Sequence, residues 1–287
     1  MDDKKLFLLD AYALIYRAYY ALIRSPRITS DGFNTSAVFG FCNTLQEVLK
    51  KENPTHIAVC FDPHGPTFRH EMYEGYKANR EAQPEDISLS VPVIKEIVEA
   101  YNIPVFEVAG YEADDVIGTL SLQAARQGFT TYMMTPDKDY GQLVSDCVLM
   151  YRPSLRGEGF EIRGVKEVCE KYDIDTPSQV IDLLALEGDS IDNIPGCPGV
   201  GPKTAAKLIK EYGSVENLLE NASAVKGALG EKIRNNADKI RFSKQLATIK
   251  RDVPLVVDFD NLRRNPENVD RLRDIFTRLE FKTFLSR

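Results

Sequence analysis

Short apolar runs alternate along the first half of the chain with stretches in which apolar residues return every three or four positions. Leu6–Leu9 and Ile57–Phe61 are apolar throughout, the pattern of strands covered on both sides, and Val105–Val108 and Thr130–Met134 are further candidate strands with Glu107, Thr130 and Thr131 among their apolar residues. Ala11–Ile23, Ser36–Lys50, Val91–Tyr101 and Ala113–Gln127 carry the helical period between them. Strands alternating with helices predict an α/β layer built on a mostly parallel sheet. From about residue 176 the pattern is helical only. Thr176-Pro-Ser-Gln179 is a capping box with proline at the first helical position, opening a helix over Val180–Leu186 that Gly188 ends. A helix over Lys203–Tyr212 follows, Gly213 and Ser214 separate a short one, and Asn265-Pro266 starts the last. The reading is an α/β domain over 1–175 and an all-helical domain over 176–287, with no internal repeat.

Composition narrows this little. An apolar share of 43% and a charged share of 28% are ordinary for a soluble globular protein of 287 residues. Cys42, Cys60, Cys147, Cys169 and Cys197 are scattered and contain no Cys-x-x-Cys pair, which predicts reduced thiols in a cytoplasmic protein, without a disulfide framework or a zinc site. Asp10 and Arg17 interrupt the N-terminal apolar stretch, so it reads as core and not as a signal peptide or membrane span.

The distribution of acids changes the picture more. Asp10, Asp62 and Asp137 each follow a predicted strand at its carboxyl end, where parallel sheets collect ligands. Glu112, Asp114 and Asp115 open a helix, and Asp139, Asp189 and Asp192 lie at other element ends. Acids in a first helical turn also suit the helix dipole, so the triplet alone decides nothing. Gathered together, however, like charges at ~5 Å and an effective dielectric of ~20 repel by about 3 kcal/mol per pair. Divalent cations among them would relieve that repulsion. With these nine acids set aside, the net charge of −7 becomes about +2, leaving surfaces free to bind phosphates.

Two further stretches suit phosphates. As one helix, Phe68–Arg80 would bring Arg69, Tyr73, Tyr76, Lys77 and Arg80 within about 100° of arc, a face for phosphates and unstacked bases. A solvated amphipathic face is the plainer alternative, and Gly75 weakens such a helix by ~1 kcal/mol. Gly199-Val-Gly-Pro-Lys-Thr-Ala205 forms a tight loop entering a helix. Its free backbone N–H groups and Lys203 make a helix-terminus phosphate site, unlike a Walker loop in glycine spacing.

Taken in order, these strings resemble the 5′-nuclease (flap endonuclease-like) family, most closely the N-terminal 5′→3′ exonuclease domains of bacterial DNA polymerase I. The matching stretches are Leu9-Asp10, Phe61-Asp62, Phe68-Arg-His-Glu71, Tyr76-Lys-Ala-Asn-Arg80, Tyr111-Glu-Ala-Asp-Asp115, Thr135-Pro-Asp-Lys-Asp139, Gly188–Gly196, Gly199–Ala205 and Arg278-Leu-Glu-Phe281. Ile191 stands where the family usually has serine and Cys197 where valine is common. The resemblance implies a resolvase-like (PIN-like) sheet domain followed by a helical domain with a helix–three-turn–helix motif. It implies hydrolysis of DNA phosphodiesters at 5′ ends and flaps with two or more Mg²⁺ ions, Mn²⁺ being able to substitute.

Carried over by resemblance, Asp10, Asp62, Glu112, Asp114 and Asp115 hold one metal cluster, and Asp137, Asp139, Asp189 and Asp192 the second. Asp114 and Asp137 serve chemistry, Lys77 and Arg80 steady the scissile phosphate, Tyr16 stacks on the terminal base, and Arg17 and Arg69 contact phosphate. Residues 68–90, Tyr76 among them, form an arch, expected to be mobile. Gly199, Gly201, Lys203 and Thr204 grip duplex backbone, in relatives through K⁺. Implied partners are flapped, branched or nicked duplex DNA and the RNA of RNA–DNA hybrids. The protein would be a monomer, fused to a polymerase or free-standing, without membrane attachment.

Three other classes fit less well. An aspartate-nucleophile phosphatase usually has a second acid two residues on, where this chain has Tyr12. A structural DNA-binding module leaves the acids unexplained, and a PIN-type ribonuclease does not need the helical domain.

Overall fold

The structure, a computed structural model, describes residues 4–154 and 159–286. The chain packs as two compact units, each discontinuous in sequence: Met1–His64, Ala82–Pro136 and Arg251–Arg287 form the first, Gly65–Glu81 and Asp137–Lys250 the second.

The first unit is built on β1 (Lys5–Asp10), β2 (His56–Phe61), β3 (Val105–Glu107) and β4 (Thr130–Met134). These strands are parallel in the order β3-β2-β1-β4. Leu6–Leu9 of β1 are fully buried, because helices cover both faces of a parallel sheet. Leu9 sits in register with Val59 and with Met134. The carboxyl ends of β1, β2 and β4 therefore finish at one edge, which places Asp10, Asp62 and Thr135 there.

The last stretch of the chain packs against this sheet unit. Val253 N–H donates to Thr119 Oγ1 (3.1 Å), and Phe259 lies 5.3 Å from Phe129. Arg264 donates to the Leu49 carbonyl, and Phe281 meets Phe39 edge-on. These contacts place Arg251–Arg287 in the compact unit of the sheet, because its aromatic and backbone groups find partners in the α/β layer.

In the second unit, β5 (Val148–Pro153) and β6 (Phe160–Arg163) pair antiparallel, with Tyr151 opposite Ile162. The sequence pattern missed this hairpin because Arg152, Glu161 and Arg163 interrupt any apolar run. A stacked Tyr151–Phe160 pair, 4.9 Å between centroids, supplies the cross-strand contact. Helices Val180–Glu187, Pro202–Tyr212 and Ala237–Ala247 form much of the rest.

Three element boundaries differ from expectation. The helix opening at Phe68 ends at Met72, and Tyr73 is extended. The Tyr73 ring folds over Gly75, where a Cβ would meet it at 2.5 Å, and then packs edge-on against Phe242. Turns replace the rest of the expected helix, so Arg69 and Arg80 do not share a helical face. The helix ending at Ala100 begins at Glu85, with Glu85 and Asp86 in its first turn. The last long helix begins at Val269, where the Asn268 side chain caps Arg271 N–H, and not at Asn265. Among the described residues no helix is long and apolar enough to cross a membrane.

Candidate active site

In the first unit the acids meet at the start of helix Ala113–Arg126. Glu112 is its N-cap, and Asp115, fully buried, reaches back to accept from Glu112 N–H at 3.1 Å. Asp62, just past β2, accepts from Ala113 N–H at 2.7 Å, so a helix start and a strand end share one point. One oxygen from each of Glu112, Asp114 and Asp115 lies within 4.8 Å of the others. Asp10 caps the helix Ala11–Ala21 through Ala13 N–H and accepts from the Thr135 hydroxyl at 3.1 Å. Asp10 stands in register with Cys60, one residue before β2 ends at Phe61 and Asp62 follows, and burial and then these two acids push the Cys60 thiol upward. Carboxylate oxygens converging at this spacing match what a hard divalent cation takes as ligands.

The other four acids gather in the second unit. Asp137 accepts from Asp139 N–H at 2.9 Å and caps the turn Lys138–Leu143. Burial of its carboxyl raises the Asp137 pKa although the residue keeps an exposed side, and Asp192 and Asp189 add to the rise. Burial and then Asp137 push Asp139 up to about 8. Its Oδ1 is buried and accepts no hydrogen bond. Such an orphaned carboxylate oxygen fits a cation ligand. Asp189 is buried, caps Ile191 N–H at 2.7 Å and pairs with Lys138 at 3.1 Å.

Asp192 is the meeting point of the basic segment. Arg80 pairs with its carboxylate, Lys77 Nζ stands 3.9 Å away, and the Tyr76 hydroxyl donates at 3.4 Å. Lys77 takes a left-handed backbone (φ 55°), at a cost of roughly 1–2 kcal/mol for a non-glycine residue. Its N–H donates to the Asp192 carbonyl at 3.0 Å, and Asn193 Nδ2 donates to the Gly75 carbonyl at 2.6 Å. Residues 75–80 are thus tied to the turn 189–193.

The remaining candidates divide. Tyr16, half-buried, stands between Tyr12 and Tyr20 with centroids 6.5 and 6.3 Å away, and Arg17 is exposed beside it. Arg69 corrects an expectation: it is 1% exposed, and its guanidinium donates to the carbonyls of Leu246 (2.8 Å) and Thr248 (2.9 Å) at the end of helix Ala237–Ala247. Here it caps a helix and is not presented to phosphate. Gly199 has φ 79°, whereas Gly201 is extended and nothing lies within 4 Å of where its Cβ would be. Pro202 starts the helix, Lys203 is exposed and Thr204 half-buried. Sequence reasoning missed Thr135 as the partner of Asp10 and Lys138 as that of Asp189. Both lie inside the Thr135–Asp139 string, which was the available signal.

The model of the 5′-3′ exonuclease N-terminal resolvase-like domain matches residues 5–173, and that of the 5′-3′ exonuclease C-terminal SAM fold matches 175–270. The chain belongs to the 5′-3′ exonuclease family. DNA polymerase I of Mycobacterium leprae is 44% identical over 98% of the chain, and that of Bacillus subtilis 42% over 100%. The chain spans about a third of the length of these relatives (31% and 32%). Among solved structures, the T5 D15 protein co-crystallised with metal ions has a TM-score of 0.73 at 21% identity, covering 96% of this chain and 99% of that one. The catalytic core of Rad2 in complex with a DNA substrate has a TM-score of 0.61 at 18% identity, covering 96% and 88%. The 5′-3′ exonuclease fold is a resolvase-like, mostly parallel α/β layer followed by a helical SAM-type fold.

Proposed function

We propose that this 5′-3′ exonuclease chain is a structure-specific 5′ nuclease that hydrolyses DNA phosphodiesters at 5′ ends and flaps using two divalent cations. The observation that carries the proposal is the approach of Glu112, Asp114 and Asp115 oxygens to within 4.8 Å of one another at a helix start. Asp10, Asp62, Glu112, Asp114 and Asp115 would hold one ion, and Asp137, Asp139, Asp189 and Asp192 the other. Oxygen-only donors favour Mg²⁺, with Mn²⁺ as a substitute. Bound there, such ions lower the pKa of water and stabilise the attacking and leaving oxygens.

This chain's own residues position the reactants. Thr135 orients Asp10 through its hydroxyl, and the Glu112–Asp115 capping box orients the acidic triplet. Lys77 and Arg80, now paired with Asp192, would exchange that carboxylate for the scissile phosphate. Tyr16 would stack on the terminal base and Arg17 contact its phosphate. The open Cβ position of Gly201 supports close approach of a duplex backbone to the loop Gly199–Thr204. K⁺ would be held by carbonyl oxygens of that loop.

Residues 1–175, with an arch over about 68–90, would form the catalytic part, and 176–287 the duplex grip. The chain's span of about a third of its DNA polymerase I relatives supports fusion to a polymerase; the reading is completed by a cytoplasmic monomer acting on DNA and on the RNA of RNA–DNA hybrids. The test is single-turnover cleavage of a labelled 5′ flap with and without Mg²⁺. Wild type is expected to cut only with the metal, and Asp114→Asn and Asp137→Asn to abolish cutting while still binding flap DNA in Ca²⁺. Near-normal turnover by either variant removes that residue from the metal set.

A further inference from the structure

Two arginines flank a single carboxylate, Glu161, on the β5–β6 hairpin, and helix Val165–Tyr172, which carries Lys171, packs against β6. Arg152 is paired directly with Glu161, and Arg163, two residues on, projects from the same face. Arg163 takes one oxygen of Glu161 with Nε at 2.9 Å and Nη2 at 2.6 Å. Arg152 Nε is 3.7 Å from that same oxygen, too far for a hydrogen bond. Arg152 is 8% exposed, and its Nε is buried without a hydrogen-bond partner. Lys171, exposed in the last turn of helix Val165–Tyr172, donates to the Tyr172 hydroxyl at 3.0 Å and not to an acid. Burial lowers the pKa of Lys171, and Arg163 and Arg152 lower it further. Arg152 is lowered in the same way by burial and then by Arg163.

A brace for the hairpin needs one arginine on Glu161, and Arg163 already fills that role. The buried Arg152 Nε–H, without a hydrogen-bond partner, is destabilising unless an acceptor comes to it. A tetrahedral oxyanion with several acceptor oxygens matches convergent guanidinium and ammonium donors. We infer that Arg152, Arg163 and Lys171 form a phosphate-binding site, occupied in the working protein by a phosphodiester of the DNA strand. The second half of that statement rests on the nuclease reading above. It is supported by position: the turn Lys138–Leu143, which Asp137 caps, packs against β5, so the hairpin borders the second group of acids.

The experiment uses the full chain with Arg163→Gln, Lys171→Gln and the double variant, and flap DNA held uncut in Ca²⁺. Losing one phosphate contact lowers the slope of log affinity against log salt by ~0.7–0.9, which is about fivefold to tenfold in affinity at 0.1 M salt. Each single variant is expected to show this with an unchanged saturated cleavage rate. Inorganic phosphate is expected to raise the melting temperature of the wild type and not of the double variant. An unchanged salt slope together with an unchanged phosphate effect overturns the site. A phosphate effect with an unchanged salt slope assigns it to free phosphate and overturns the DNA assignment. If the wild type neither binds nor cuts flap DNA, the nuclease reading fails, while the phosphate arm still decides the site. Lys171 is exposed, so its variant reports even if Arg163→Gln misfolds.

Discussion

At the scale of single residues, the site is a problem of crowded negative charge. Asp139 is the clearest case, its carboxyl pushed up to about 8 by burial and by Asp137. An unfolded aspartate titrates near ~3.9, so between about 4 and 8 the folded protein holds a proton that the unfolded chain has released. The stability contributed by this group is therefore complete below about 4 and is lost as pH rises through about 8. In EDTA, the urea midpoint is expected to fall as pH climbs through that window, and Asp139→Asn to flatten the fall. Mg²⁺ is expected to flatten it too, because a bound cation takes the place of the proton. A midpoint that rises over the window in EDTA would mean that Asp139 is ionised and already compensated.

At the scale of elements, the decisive devices are helix ends. Glu112 and Asp62 serve the first turn of Ala113–Arg126, Asp10 serves Ala11–Ala21, and Asp137 serves the turn Lys138–Leu143. Each capping oxygen also belongs to a carboxylate of the candidate site, so the bonds that begin these helices orient those side chains. Arg69 does the converse at a helix end, giving Leu246 and Thr248 carbonyls a partner they would otherwise lack. Arg69→Ala removes two charge-assisted bonds and leaves a cavity, for an expected loss of about 2–4 kcal/mol in urea unfolding. Affinity for flap DNA is expected to stay the same. Unchanged stability with weakened DNA binding would return Arg69 to the list of phosphate contacts.

At the scale of the whole molecule, a chain of net charge −7 binds a polyanion only through local features. The loop before helix Pro202–Tyr212 is one such feature, with free N–H groups at a helix start and Lys203 exposed. Gly201 has an ordinary extended backbone and open space at its Cβ, so Gly201→Ala is expected to leave the melting temperature unchanged or slightly raised. The added methyl would stand between the loop and a duplex backbone. Gly201→Ala and Lys203→Ala are therefore expected to weaken binding several-fold, equally across unrelated flap sequences, with the saturated cleavage rate preserved. A loss confined to some sequences would indicate base readout and contradict a backbone grip.

The apolar runs Leu6–Leu9 and Ile57–Phe61, and the alternation of strands with helical patterns, made a parallel layer legible, because a strand buried on both faces has no polar side. The placement of Asp10 and Asp62 at one edge was legible for a related reason, since strand ends in such a layer lie side by side. The acidic triplet was legible from its spacing, three carboxylates in four residues at a helix start. The turn after Met72, the burial of Arg69 and the β5–β6 hairpin were not. Each depends on partners far away in sequence: Phe242 for Tyr73, the end of Ala237–Ala247 for Arg69, and a cross-strand Tyr151–Phe160 pair for the hairpin. Local pattern records what a residue prefers, and helix period suited Phe68–Arg80 well. Whether a guanidinium meets solvent or two orphaned carbonyls is settled only when the chain brings a helix end to it, and that is a property of the tertiary structure.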